Sequence, residues 1–228
     1  MVRQDKISYL ITGFRSTQLV PIYPKEPLVD LFIRTILSQG TDEELRDKAF
    51  QNLKLEFPDW KTLLDSDIKK IIKLINICGL SNQKTHTIIS LIKWIFANFN
   101  ELDLEPIRLW EKERLFSELT SIQGIGIITV SIFVCFGLGR ASFPIDNHIQ
   151  RIFTRIGVTS NYTSLYKVFE RVKPFIPVGK ELFLHIHLVE FGKNICKSSI
   201  PICNRCMFND QCDFFNKKNK WTLSLIKV

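Results

Sequence analysis

A chain of 228 residues, 45% hydrophobic and 24% charged, carries enough apolar side chains for one large packed domain or two lobes, which excludes a disordered polymer. Its formal net charge of +8 favours a polyanionic partner without proving one. No apolar run approaches the ~20 residues that cross a bilayer, and Met1–Lys6 lacks the apolar stretch of a secretory signal, so a membrane helix and a secretory route are not expected.

Residues 1–26 are mixed, and Pro21, Pro24 and Pro27 mark an irregular connection. From there on, apolar residues recur at helical spacing and no run alternates with the period of a strand, so the expected fold class is all-α. The first strong helix carries Leu28, Leu31, Phe32, Thr35 and Ile36 on one side and runs out near Ser38-Gln39-Gly40. Thr41 to Glu44 has the form of a capping box, with Thr41 capping the next helix and Glu44 reaching back. Phe57 and Pro58 break that helix. A short helix is expected over Ile68–Ile77, closed by Gly79. Ser81 or Asn82 would cap the following one, whose stripe of Ile88, Leu91, Ile92, Ile95 and Phe99 reads as core. Further helices are expected around Leu109–Leu119, from Ile127 to about Gly137, after Asp146, over Tyr162–Phe175 and over Gly179–Ile195. Lys217, Lys218 and Lys220 read as solvated charge.

Ile122-Gln123-Gly124-Ile125-Gly126 falls between two of these helices and reads as a hairpin. Gly124 and Gly126 are able to take positive φ and bring the main chain close to another surface. The N–H groups that open the following helix suit a phosphate, a contact that fixes position without reading sequence. A tight turn whose glycines serve packing alone fits the same residues. About twenty residues on, Asp146 opens the next helix, where a carboxylate serves either as a cap or as a catalytic acid.

The 6 cysteines belong in a reducing compartment, cytoplasmic or nuclear, and read as metal ligands or buried thiols. Cys196, Cys203, Cys206 and Cys212 supply four thiolates in one short stretch, enough for a [4Fe–4S] cluster or a tetrahedral zinc ion. Lys193, Lys197 and Arg205 surround them, either as cations offered to phosphate or as a solubilising rim. Cys78 and Cys135 lie in apolar helical stretches and read as packed core thiols.

Taken together, these motifs resemble the endonuclease III family of DNA glycosylases, the helix–hairpin–helix group with a trailing aspartate. The resemblance covers nearly the whole chain, and the Cys-x6-Cys-x2-Cys-x5-Cys spacing matches that family's [4Fe–4S] signature. It implies a two-lobed fold: a six-helix lobe over 27–141, and a discontinuous cluster lobe from 1–26 and 142–228, with DNA crossing between them. Ile145 to His148 looks like the family's Val-Asp-Thr-His, which implies Asp146 as the catalytic acid and His148 near the DNA backbone. Leu37-Ser38-Gln39 looks like the segment whose glutamine enters the gap left by an extruded base. Gly79-Leu80-Ser81-Asn82 resembles the second wedge loop, with Leu80 intercalating. Arg151 matches a position near the lobe junction.

One departure bears on mechanism. Bifunctional members read Leu-Pro-Gly-Val-Gly-Arg-Lys-Thr, and the lysine is their nucleophile. Here Ile128 stands in its place, with Gln123 for the proline and Ile127 for the basic residue, and a branched alkane forms no Schiff base. The resemblance therefore implies a monofunctional glycosylase that flips a damaged or mismatched base from double-stranded DNA and hydrolyses its N-glycosidic bond with water. The partner is duplex DNA, the protein a monomer, and the first expected substrate uracil or thymine opposite guanine, because family members acting there also lack the lysine. Adenine-excising relatives carry a further C-terminal domain, which disfavours that substrate. Two alternatives stand beside it: a bifunctional enzyme borrowing Lys112 or Lys193, and a DNA-binding module without catalysis.

Overall fold

The computed structural model describes residues 3–15, 26–159 and 164–217. Among them every regular element is helical, as the apolar spacing predicts. Helix α1 spans Arg3–Phe14, a segment that sequence reading left as mixed. Its helical character comes from Ile7, Leu10, Ile11 and Phe14, all buried at i, i+3, i+4 and i+7. Pro21, Pro24, Tyr162, Lys218 and Lys220 lie outside the described residues. The chain divides into two compact units, Pro24–Arg140 and the discontinuous pair Met1–Tyr23 with Ala141–Val228.

The continuous unit holds α2 (Leu28–Leu37), α3 (Glu43–Glu56), α4 (Lys61–Leu64), α5 (Ile68–Leu74), α6 (Ser81–Phe99), α7 (Lys112–Thr120) and α8 (Ile127–Phe136). Helix α8 is apolar almost all round and belongs in the centre of a core. There Phe133 stacks on Phe32 of α2 with centroids 4.1 Å apart and planes at 12°. Buried Asp30 is satisfied by the Trp60 indole at 2.6 Å and Lys54 at 3.1 Å, which ties α2 to the chain around α4.

Two capping expectations and one helix start are corrected in this unit. Asp42, not Thr41, stands at the N-cap of α3 and makes no side-chain cap bond; the Thr41 hydroxyl is spent instead on the Cys78 carbonyl at 2.6 Å. Neither Ser81 nor Asn82 caps α6, because the N-cap position is Leu80 in a left-handed conformation. Leu109 closes a 3-10 turn, 90% exposed, and the expected helix begins only at Lys112 after Trp110 turns extended.

The discontinuous unit packs α1 with α9 (Asn147–Ile156), α10 (Leu165–Val172) and α11 (Glu181–Asn194) around Ile7, Leu10, Ile149, Phe153, Leu184 and Leu188. Phe208, 1% exposed, sits edge-on to Tyr9, Phe14 and Phe191 at 5.4, 5.0 and 5.4 Å. Lys6 spans from the Ile156 carbonyl at 2.5 Å to the Asp213 carboxylate at 2.7 Å. Tyr9 donates to Asp210 at 2.6 Å, and burial together with that bond pushes its phenol up to about 12. The first helix thus clasps the cysteine-bearing stretch over its last residues, through Lys6, Tyr9 and Phe14.

Candidate functional site

Asp146 closes a buried run, Ser142 to Ile145, and stands at the N-cap of α9 with extended backbone. Its Oδ1 accepts from the Ile149 N–H at 2.8 Å, so the cap reading of this residue is correct. The carboxylate is half-buried, and this cap bond is the hydrogen bond it makes among the described residues. The segment leading to it is held by His185 of α11, whose ring lies edge-on to Phe143 and whose Nδ1–H donates to the Pro144 carbonyl at 3.0 Å. Burial holds the His185 imidazole below its ordinary value, against the opposing pull of the Asp146 carboxylate.

His148, the second residue of α9, is half-buried and accepts at Nδ1 from Arg151 at 3.1 Å. Arg151 also donates to the carbonyls of Gly192 and Cys196, both at 2.9 Å. A Cβ on Gly192 would come within 2.8 Å of His148, so this glycine lets α11 approach α9 closely.

In the continuous unit, α7 and α8 are joined through Ser121 to Gly126. Gly124 has φ +86°, and a Cβ there would strike the Thr87 hydroxyl, so both backbone and packing demand glycine. Gly126 differs from expectation: it has φ −93° and open space where a Cβ would lie. The protein itself does not require glycine at 126. Its bare, exposed backbone at the N-cap of α8 leaves room for an outside surface to approach the unpaired N–H groups of the first turn. Ile128, in that first turn, is half-buried.

Gln39 is half-buried in the turn after α2, and its Nε2 donates to Thr129 Oγ1 at 2.9 Å. Leu80 is 64% exposed at φ 50°, ψ 30°. A leucine that is both apolar-exposed and left-handed costs energy twice over, which marks a site retained for something other than stability. Asn82 is exposed at the start of α6.

Cys196, Cys203, Cys206 and Cys212 line one pocket together with apolar walls from Ile156, Phe191 and Ile202. Burial pushes the Cys206 thiol up to about 11 and raises Cys212 as well, so thiolates here require compensating positive charge. Cationic and N–H donors already address the sulfurs: Arg155 reaches Cys196 Sγ and the Phe208 N–H reaches Cys206 Sγ, each at 3.4 Å. Among the described residues no three Cys, His, Asp or Glu side chains converge as a single ion would draw them. Lys193, Lys197 and Arg205 are exposed around this stretch, while Cys78 and Cys135 are buried elsewhere.

Sequence reading missed three members of these surroundings. Neither Lys84, Thr129 nor His185 is given a role by the sequence reading above. The signal for Lys84 lies in its spacing, four residues before Ile88 and seven before Leu91 on the buried stripe of α6.

Residues 33–176 match the HhH-GPD superfamily of base excision DNA repair proteins. Over 193 residues the chain is 33% identical to endonuclease III of Sulfolobus acidocaldarius, a match spanning 82% of this chain and 83% of that one. Its fold is similar to that of endonuclease III solved in a non-covalent complex with DNA, with a TM-score of 0.79 at 18% identity over 96% of this chain and 99% of that chain. It is also similar to a thermostable thymine-DNA glycosylase, with a TM-score of 0.74 at 20% identity over 94% and 97% of the two chains.

Proposed function

This chain belongs to the HhH-GPD superfamily of base excision DNA repair proteins and is a DNA glycosylase, and from that premise we propose that it is monofunctional, with water as nucleophile and Asp146 as its acid. Within the described residues no helix is long and apolar enough to cross a membrane.

Two features, each read within its own unit, support this reading: a fixed, half-buried carboxylate at 146, and an alkane at 128. A base inside a duplex is reached only after it leaves the stack. Gln39 and Leu80 would occupy the vacated space, and Leu80 is built for it: exposed, apolar and held in a strained backbone. Gly126 and the first turn of α8 would hold a phosphate, and Asn82 and His148 would add contacts near the strand.

As the C1′–N bond breaks, the base departs with the electron pair and positive charge builds on the sugar, as in glycoside hydrolysis generally. The Asp146 carboxylate stabilises that charge. It then takes a proton from the water whose oxygen bonds to C1′, leaving an abasic site with the strand intact. Spending Oδ1 on the cap fixes the group's direction and leaves the remaining lone pairs for this work. With Ile128 in the place of the amine, no covalent imine with the sugar forms there. The first substrate to test is uracil or thymine opposite guanine, and the active species is a monomer.

Cys196, Cys203, Cys206 and Cys212 would hold a [4Fe–4S] cluster. The Cys-x6-Cys-x2-Cys-x5-Cys spacing supports the cluster over a lone zinc ion, and all four cysteines line one pocket. When bound, the cluster would supply the cationic charge that four wholly or partly buried thiolates need.

Two measurements test the proposal. Single-turnover excision across a panel of single-lesion duplexes, with borohydride present, is expected to release a base without any trapped protein–DNA band; a trapped band overturns the water mechanism. Blue-absorbing, brown protein that turns colourless in Cys203→Ala is expected for the cluster, and stoichiometric zinc in colourless protein overturns it.

A further inference from the structure

The ammonium group of Lys84 is 2% exposed, and the three acceptors it meets are all neutral. Its Nζ donates to the Leu37 carbonyl at 2.9 Å, to the Cys78 carbonyl at 2.8 Å and to Thr41 Oγ1 at 2.6 Å. Those three donors are everything an ammonium has. Thr41 in turn donates to the Cys78 carbonyl at 2.6 Å, which closes the network. Burial lowers the affinity of Lys84 for its proton, with a partial return from the neighbouring Cys78.

The acceptors are distributed in a telling way. Leu37 and Thr41 bracket the turn that carries Gln39, and Cys78 lies two residues before Leu80. Leu80, Lys84 and Thr87 fall at i, i+4 and i+7 on α6, hence on one face. Leu80 is exposed at the tip, and Thr87 at the other end seats Gly124 of the hairpin. A buried charge without a counterion is costly, and an apolar residue of similar volume would serve packing alone at least as well. Lysine at this position therefore answers to geometry.

We propose that Lys84 is a positioning residue whose buried ammonium couples the Gln39 turn to the Leu80 turn, so that both enter a duplex as one body. This rests on the reading of those two turns as the elements that replace an extruded base. The coupling makes insertion of one side chain dependent on insertion of the other, and rejects a partial entry that leaves the duplex stacked.

Hydrogen–deuterium exchange on the purified protein tests the coupling without reference to any reaction. In Lys84→Met, amides of residues 38–41 and 78–82 are expected to lose protection together while the central turns of α2 and α6 keep theirs. Loosening of one turn alone, or of neither, overturns the proposal. Thr41→Val, which keeps the ammonium and removes the bridging hydroxyl, is expected to give the same pattern at smaller amplitude and serves if Lys84→Met does not fold. Excision then separates positioning from general damage. Lys84→Met is expected to lose about a hundredfold on an intact duplex, the scale of a small misplacement. It should recover most of that on the same lesion facing a one-nucleotide gap, where no partner base needs replacing. Equal loss on both substrates overturns the positioning role. Failure of the wild type to excise any base overturns the functional reading instead, and the exchange data still decide the coupling.

Discussion

The Gln39 carboxamide donates to the Thr129 hydroxyl at 2.9 Å, fastening the turn after α2 to the first turn of α8. Thr129 is the immediate neighbour of Ile128, so the side chain proposed to fill the vacated base position is tied to the neighbour of the residue proposed to stand in place of an amine. Together with Lys84 this bond leaves the Gln39 turn held from two directions, by α6 on one side and by the hairpin helix on the other. The pre-set geometry reduces what has to be ordered when DNA arrives.

Asp146 combines a cap with a proposed chemical role, and two substitutions separate them. Asp146→Asn retains a side chain of equal capping quality, so stability should change by less than about 0.5 kcal/mol. Excision should nevertheless fall by about 100- to 10,000-fold, the usual range for a missing general base. Asp146→Ala should lose about 1 kcal/mol in addition. Urea denaturation alongside single-turnover kinetics checks both.

Leu80→Gly should raise stability and lower activity together. Relief of the left-handed leucine returns about 1–2 kcal/mol, set against about 0.5–1 kcal/mol of extra chain entropy. Little apolar burial is lost, because Leu80 is 64% exposed. A higher urea midpoint with slower duplex excision is the expected pair of results.

Ile128→Lys restores an amine at the half-buried first turn of α8. Its four-carbon stem is long enough to carry the charge outward from that turn. Borohydride should then trap a covalent protein–DNA complex with the variant and none with the wild type, and strand nicking should accompany it.

His185 sets a pH dependence whose sign follows from its burial. Its folded value is lowered, while the unfolded chain takes up a proton near the ordinary value of about 6.5. The unfolded state thus binds more protons as pH drops below that value, and stability falls through the window between it and the lowered folded value. Urea midpoints measured from about pH 8 to pH 5 should decline in the wild type and flatten in His185→Gln.

Helix positions were legible wherever an apolar stripe was long, as in α2 and α6, because burial on one face leaves a period in the sequence; α8 was legible from its nearly unbroken apolar run instead. Local polar chemistry was less so. Thr41 carries every mark of a capping box, yet its hydroxyl turns to Cys78 and Lys84, contacts 37 and 43 residues away in the chain. No nearby pattern encodes that choice. The cap at Asp146 was readable because it needs only its own helix. The glycines of the hairpin divided: Gly124 is demanded by φ and by Thr87, a residue from another helix, while Gly126 is demanded by nothing inside the protein. For α1, the four buried apolar residues were present, but the prolines downstream obscured their period.

The clasp of α1 on the cysteine stretch also fixes an order of events during translation. Lys6 and its partner Asp213 are 207 positions apart, whereas the buried cluster of the unit over Pro24–Arg140 is drawn, among the described residues, from its own span. A ribosome releases that inner unit first, and it is free to condense while α1 waits with Ile7, Leu10 and Phe14 uncovered. Only when Phe208 emerges does the opening helix find its seat. On this schedule, loading of the proposed cluster waits until Cys212 has emerged.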